Sequence, residues 1–127
     1  MLTAPMNKKL LAEFFGTLIL LAVIAGSGVM GAELSDGNNA VALLGNSIAT
    51  GAGLYVLISV LGPISGAHLN PAVSLMFWAS KELEPKELAG YCIAQLTGAI
   101  AGIWTTHLMF SLPIIQTSTK PREGLGI

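Results

Sequence analysis

The sequence predicts an all-α membrane protein with three transmembrane helices and one re-entrant half-helix, and three observations carry that reading. Of 127 residues, 53% are hydrophobic and only 10% are charged, whereas soluble domains run near a quarter charged. The charges sit in short patches, so residues 14–32, 37–80 and 88–119 form uncharged runs of 19, 44 and 32 residues. A helix needs about 20 mostly apolar residues to cross a bilayer. The longest run is also interrupted, by Pro63 and Pro71 with Gly66 between them, and such residues do not continue a helix.

The first run holds one span, near residues 10–31. Lys8 and Lys9 before it resemble the start of a secretory leader. The apolar stretch is too long for one, however, and Glu13 lies at its start, so a retained spanning helix is expected. The 44-residue run exceeds one span without comfortably holding two, and it predicts a helix over 40–62. Residues 63–79 then form a re-entrant loop and a short apolar half-helix from Pro71 to Ala79. At 1.5 Å per residue that half-helix rises about 13 Å, roughly half the hydrocarbon thickness. After the charged segment 81–87, a third span is expected over 88–112. Residues 1–112 thus read as one unit, and 113–127 as a polar tail or connector.

Composition also excludes. Lys plus Arg is 6 and Asp plus Glu is 7, a net charge of −1, which leaves no basic excess to bind nucleic acid. The single cysteine, Cys92, rules out an internal disulfide framework, a cysteine zinc site and a Cys-X-X-Cys redox motif. Its apolar surroundings read as packing. No His, Glu or Asp spacing matches metal ligands or a catalytic triad, so no cofactor, metal or catalytic residue is assigned and no enzyme is expected.

Non-helical backbone at membrane depth is tolerated only when buried in protein or lining a watery cavity, so the re-entrant segment is itself a candidate site. Asn70 stands at the N-cap of the half-helix and Pro71 at its first position, both favoured placements. The half-helix then aims its positive dipole end at the membrane centre. Gly66, Ala67, His68 and Leu69 can turn their carbonyls toward a pore, and the Asn70 amide offers a donor. A row of acceptors ending at a fixed donor and a positive dipole suits small neutral solutes and disfavours protons and cations.

Ser65-Gly66-Ala67-His68-Leu69-Asn70-Pro71-Ala72-Val73 closely resembles the first Asn-Pro-Ala loop of the aquaporin (major intrinsic protein) family. Ala12-Glu13-Phe14-Phe15-Gly16-Thr17 and Tyr91-Cys92-Ile93-Ala94-Gln95 resemble flanking signatures of the first and third helices, in the same order. The resemblance implies half of an aquaporin-like fold, because the family joins two inverted three-helix repeats and no second triplet or repeat occurs here. It implies a passive channel for water or small neutral solutes such as glycerol-like polyols and metalloid acids. Asn70, Pro71 and Ala72 would be the pore motif, and Leu20 and Leu54 the apolar pore wall. Thr50 matches a filter position that is aromatic or His in many water channels, so its smaller side chain implies a wider constriction. Asn46, one turn away, either shares that cavity or satisfies a neighbouring helix. Glu13 would accept hydrogen bonds from the re-entrant loop, with Gln95 as a buried hydrogen bonder. His68 would brace the loop, its carbonyl mattering more than its ring, and His107 would lie at the outer rim.

A single copy does not close a pore. With Lys8 and Lys9 inside, Lys81 and Lys86 also fall inside, against Lys120 and Arg122 outside. So small a bias is expected of a chain that inserts both ways and pairs as an antiparallel homodimer, with higher oligomers open. A separate second-half chain, or a longer chain of which this is a fragment ending at Ile127 near the expected connector, are the alternatives. Gly90, Ala94, Gly98 and Gly102, like Gly45, Ala49 and Gly53, form small-residue stripes that serve either a dimer seam or packing within one copy. A different class, a small dual-topology ion channel or exporter, would need an ionisable group in its path, and Glu13 is the one candidate within a span. The expected setting is an integral, multi-pass protein of the plasma (inner) membrane, with lipid, water and small solutes as its surroundings.

Overall fold

A computed structural model describes residues 4–116. The expected tail beyond residue 116, with Lys120 and Arg122, lies outside the described residues. Four helices follow in order: α1 (Met6–Leu34), α2 (Asn39–Ser65), α3 (Pro71–Ala79) and α4 (Pro85–Met109). The three longer ones are long and apolar enough to cross a membrane. The chain is an integral membrane protein of the expected all-α class.

Helix boundaries follow local chemistry. Asn38 caps α2, its side chain accepting from the N–H groups of Ala40 and Val41. This helix runs through Pro63 to Ser65, three residues past the expected end at 62. Pro63 forgoes its own i→i−4 bond, and the stop falls three residues later at Gly66, whose left-handed φ of 89° suits a C-cap. Helix α4 starts at Pro85, ahead of the expected 88, because Pro85 takes the first helical position and Glu87 turns its carboxyl back to the Glu84 N–H. It ends at Met109, short of the expected 112. Ser111 turns left-handed at φ 54°, the Leu112 N–H returns to the His107 carbonyl at 2.8 Å, and Pro113 disfavours helical φ/ψ for Leu112.

Helix α1 is the centre. It packs against α2 on one side and α4 on the other, while α3 packs on α4, and α2 touches α4 at its Ser65 end through Tyr91. α1 and α4 run parallel, with Lys9 bonded to Glu87 near one end (2.8 Å) and Ala22 meeting Thr106 toward the other (3.3 Å). α2 runs antiparallel to α1, so that Gly31 faces Ala42 and Gly16 faces Leu61. The small stripe on α4 therefore serves packing within the chain. A Cβ on Gly98 or Gly102 would fall against the backbone carbonyl oxygens of Phe14 or Leu18, as expected where membrane helices approach closely.

The interior is rich in polar groups, beside a small apolar cluster, and many large apolar side chains face outward. Buried side chains include Glu13, Thr17, Ser65, His68, Ser74, Gln95 and Thr106, while Leu11, Phe15, Ile19, Leu43, Ile93 and Leu108 are exposed. A lipid solvent produces this inversion: apolar side chains gain nothing by turning inward, whereas polar groups must find partners inside.

Candidate functional site

Between α2 and α3 the chain turns back into the bundle. Ser74 of α3 bonds Gln95 at 2.9 Å, and Gln95 lies ten residues, or about 15 Å, along α4. Asn70 stands one turn beyond Ser74, so the tip of α3 sits near the middle of α4, which at 25 residues is about 37 Å long. Leu69 reaches the same level on α1, against Gly16. The half-helix thus enters and leaves by the same end.

Glu13 organises the loop. It is fully buried, and both its oxygens accept. Oε1 takes the Ser65 hydroxyl (2.6 Å) and the His68 N–H (3.0 Å), and Oε2 takes the Leu69 N–H (2.7 Å) and the Gln95 amide (2.8 Å). No cation pairs with it; the one ion pair among the described residues is Lys9–Glu87. The loop needs this anchor because its backbone is strained. Ala67 and Leu69 hold φ values of 49° and 51°, each costing about 1–2 kcal/mol for a residue with a Cβ.

The anchoring has a directional result. Ser65 Oγ takes the Ala67 N–H at 3.1 Å and Glu13 takes the next two N–H groups, so the amide side of the loop is consumed by protein. The carbonyls of Gly66, Ala67, His68 and Leu69 accept no hydrogen bond from any described residue. At the tip, Asn70 Oδ1 accepts the Ala72 N–H at 2.8 Å. That bond turns the amide NH₂ outward, where it meets no described partner. Pro71 takes the first helical position, and Ala72 lies exposed beside it.

Three residues that sequence reasoning left without a role complete the site. Ser65 and Ser74 are fully buried, and Tyr91, also buried, donates its hydroxyl to the Ser65 carbonyl at 2.6 Å. The signal was helical spacing: Tyr91 and Gln95 are four apart, as are Asn70 and Ser74, so each pair shares a face. The His68 ring stacks on Phe77 and meets the Tyr91 edge. Toward the end of the bundle carrying Lys9 and Glu87, a cavity of about 910 Å³ opens, lined by His68, Tyr91, Lys9, Glu82, Glu84 and Glu87 among others.

The remaining candidates divide. Leu20 and Leu54 pack together with Leu61 on the buried cluster of Leu57, Ala67 and Leu69, so they adjoin the loop. Asn46 belongs to the helix interface, its amide donating to the Ile24 carbonyl (2.8 Å) and Ser27 hydroxyl (2.9 Å) of α1. Thr50, one turn from both Asn46 and Leu54, is half-buried, and its hydroxyl is enclosed without a partner. His107 bonds the Ile114 carbonyl at 3.0 Å, at the far end of the bundle from Lys9.

Comparison with known proteins adds a family match. A sequence model of the family described as Major intrinsic protein matches residues 1–124. The chain is 50% identical over 119 residues to Aquaglyceroporin AqpS of Rhizobium meliloti (strain 1021), covering 94% of this chain and 51% of that protein. It is 37% identical over 124 residues to Aquaporin NIP1-1 of Arabidopsis thaliana, covering 98% and 41% respectively. To Aquaporin-2 of Rhizopus delemar (strain RA 99-880) it is 32% identical over 120 residues, covering 94% and 37%. The chain spans about half the length, or less, of the relatives it matches.

Proposed function

The chain belongs to the major intrinsic protein family, and from that premise we propose that it supplies one half of a passive membrane channel for water and small neutral solutes, with glycerol-like polyols and metalloid acids as the larger permeants. Membership points to a channel rather than an enzyme. The observation that carries the reading is the tip of α3: a free Asn70 amide at mid-helix, next to four loop carbonyls that no described group occupies. Hydroxylated neutral solutes both donate and accept, and this array offers both. Cations would meet the helix dipole and the amide donor.

Glu13 fits the channel reading better than the exporter. Its oxygens are enclosed and spoken for by four donors, which suits an anchor and leaves no open face for a travelling proton. Thr50 is proposed as the filter residue through its small size, since its hydroxyl is turned into protein.

Because α3 fills only the half of the bundle that carries Lys9 and Glu87, the other half needs an equivalent element. We assign that role to a second copy inserted the opposite way, in the plasma membrane. A separate second-half chain, or further sequence of a longer protein, would fill the same space. The deciding experiment is stopped-flow light scattering on proteoliposomes of the purified chain under water and glycerol gradients, beside Asn70→Asp. Fast, low-activation-energy flux that the variant loses supports a self-assembled pore. Permeability equal to empty liposomes sinks the second-copy assignment.

A further inference from the structure

Hydrogen positions around His68 follow by elimination. Gln95 spends both amide protons, one on Glu13 Oε2 at 2.8 Å and one on Ser74 Oγ at 2.9 Å. The reversed amide would set its oxygen against the Glu13 carboxyl. Ser74 Oγ therefore accepts from Gln95 and keeps a single proton to give. Ser74 is fully buried, and among the described residues its one remaining partner is His68 Nδ1, at 3.0 Å. With Nδ1 accepting, a neutral imidazole carries its proton on Nε2.

The position of Nε2 completes the picture. It has no partner among the described residues, yet it is absent from their enclosed, partnerless polar atoms, which are Thr17 Oγ1, Thr50 Oγ1 and Gln95 Oε1. Hence it is not enclosed, and His68 is among the residues that line the 910 Å³ cavity. The ring cannot swing to hide it, because Phe77 is stacked on one face with centroids 4.4 Å apart and Tyr91 abuts at 5.2 Å.

We propose that the chain Gln95→Ser74→His68, anchored on Glu13, locks His68 as the Nε2–H tautomer, and that this N–H is a second solute-facing donor at the cavity end of the carbonyl row, opposite the Asn70 amide. His68 then selects for solutes through its ring, beyond bracing the loop. Ser74 and Gln95 are positioning residues: they act on the solute only by fixing which nitrogen bears the proton. A polyol hydroxyl leaving the cavity would give its proton to a loop carbonyl while its oxygen accepts from Nε2–H. The solute part of this inference rests on the channel reading; the tautomer part does not.

The test uses the full chain, ¹⁵N-labelled at histidine, in lipid bicelles. His107→Gln removes the other histidine's signals. Expected is one pyrrole-type Nε2 and one pyridine-type Nδ1 for His68, and mixed tautomers in Ser74→Ala, where Nδ1 has lost its donor. A wild-type Nδ1–H form, or an unchanged spectrum in Ser74→Ala, overturns the lock. In proteoliposomes, His68→Leu should lower the glycerol-to-water permeability ratio about tenfold, the worth of one hydrogen bond. His68→Gln, whose amide N–H reaches near the same place, should stay within about threefold of wild type. An unchanged ratio in His68→Leu overturns the donor role while flux itself upholds the channel. Absent flux with the expected tautomer would instead retire the channel reading and, with it, the solute role, leaving the lock standing.

Discussion

Glu13 carries more of the site than any other side chain. It holds two N–H groups of the strained loop, a serine and a glutamine with one carboxyl, all out of solvent. Glu13→Gln replaces one acceptor oxygen with a donor facing donors, so some of these groups lose their partner. Unpartnered buried polar groups cost about 1–3 kcal/mol each, and a loss of about 2–3 kcal/mol is expected. Thermal unfolding in detergent measures it, and an unmoved midpoint would mean the loop is held by something else. Thr50→Phe should keep water flux and cut glycerol flux at least tenfold, since about 1.4 kcal/mol of added barrier suffices. An unaltered permeability ratio in the two gradients would remove Thr50 from the filter. The nonamer made the residues from Gly66 to Asn70 legible in the sequence. What stayed hidden was which groups Ser65, Ser74 and Tyr91 meet: i, i+4 spacing sets Ser74 on the face of Asn70 and Tyr91 on that of Gln95, but their partners lie in other elements, at sequence separations of 21 and 26.

At the scale of elements, the helices were readable because lipid demands long apolar segments, while their ends were set by caps outside that pattern. Pro63 inside α2 and Pro85 at the start of α4 show the two faces of one residue, tolerated near one terminus and favoured at the other. The small-residue stripes were ambiguous for a different reason. Glycine spacing shows that something approaches closely without showing what. Gly98 meets the α1 backbone, whereas a Cβ on Gly45 would meet open space. Gly98→Ala should therefore cost about 1–3 kcal/mol by forcing α1 and α4 apart. Gly45→Ala should stay within about 0.5 kcal/mol in the single chain. Equal effects in a detergent unfolding series would mean that the α1–α4 contact is looser than the geometry implies.

Taken whole, the molecule is an open half-shell. Only 6% of the most apolar stretch of α2 is buried, and the α2 backbone packs along α1 alone, touching α4 at its Ser65 end through Tyr91. Lipid satisfies the outer faces, but among the described residues no element covers the exposed Asn70 between α2 and α4. If inverted copies pair, both orientations must coexist. Ser35→Cys in a Cys92→Ser background places a thiol just past α1, at the end of the bundle away from Lys9. Impermeant thiol reagent added to sealed vesicles should label about half of it, and detergent should release the rest, in keeping with the small charge asymmetry. Labelling wholly from one side would exclude the inverted pair and leave a separate or continuing second half.

Composition, the three uncharged runs and the Asn-Pro-Ala nonamer sufficed for the membrane class, the helix count and the position of the re-entrant tip. These are consequences of solvent and local conformation, which act on neighbouring residues and leave their mark in sequence order. Folding in three dimensions settled the rest. It turned the loop's N–H groups to Glu13 and left its carbonyls free, gave Asn46 to the helix interface, brought Ser74 between Gln95 and His68, and spent the α4 glycines on α1. Each of those outcomes depends on which groups meet across helices, and a buried polar group's partner is chosen by distance in space.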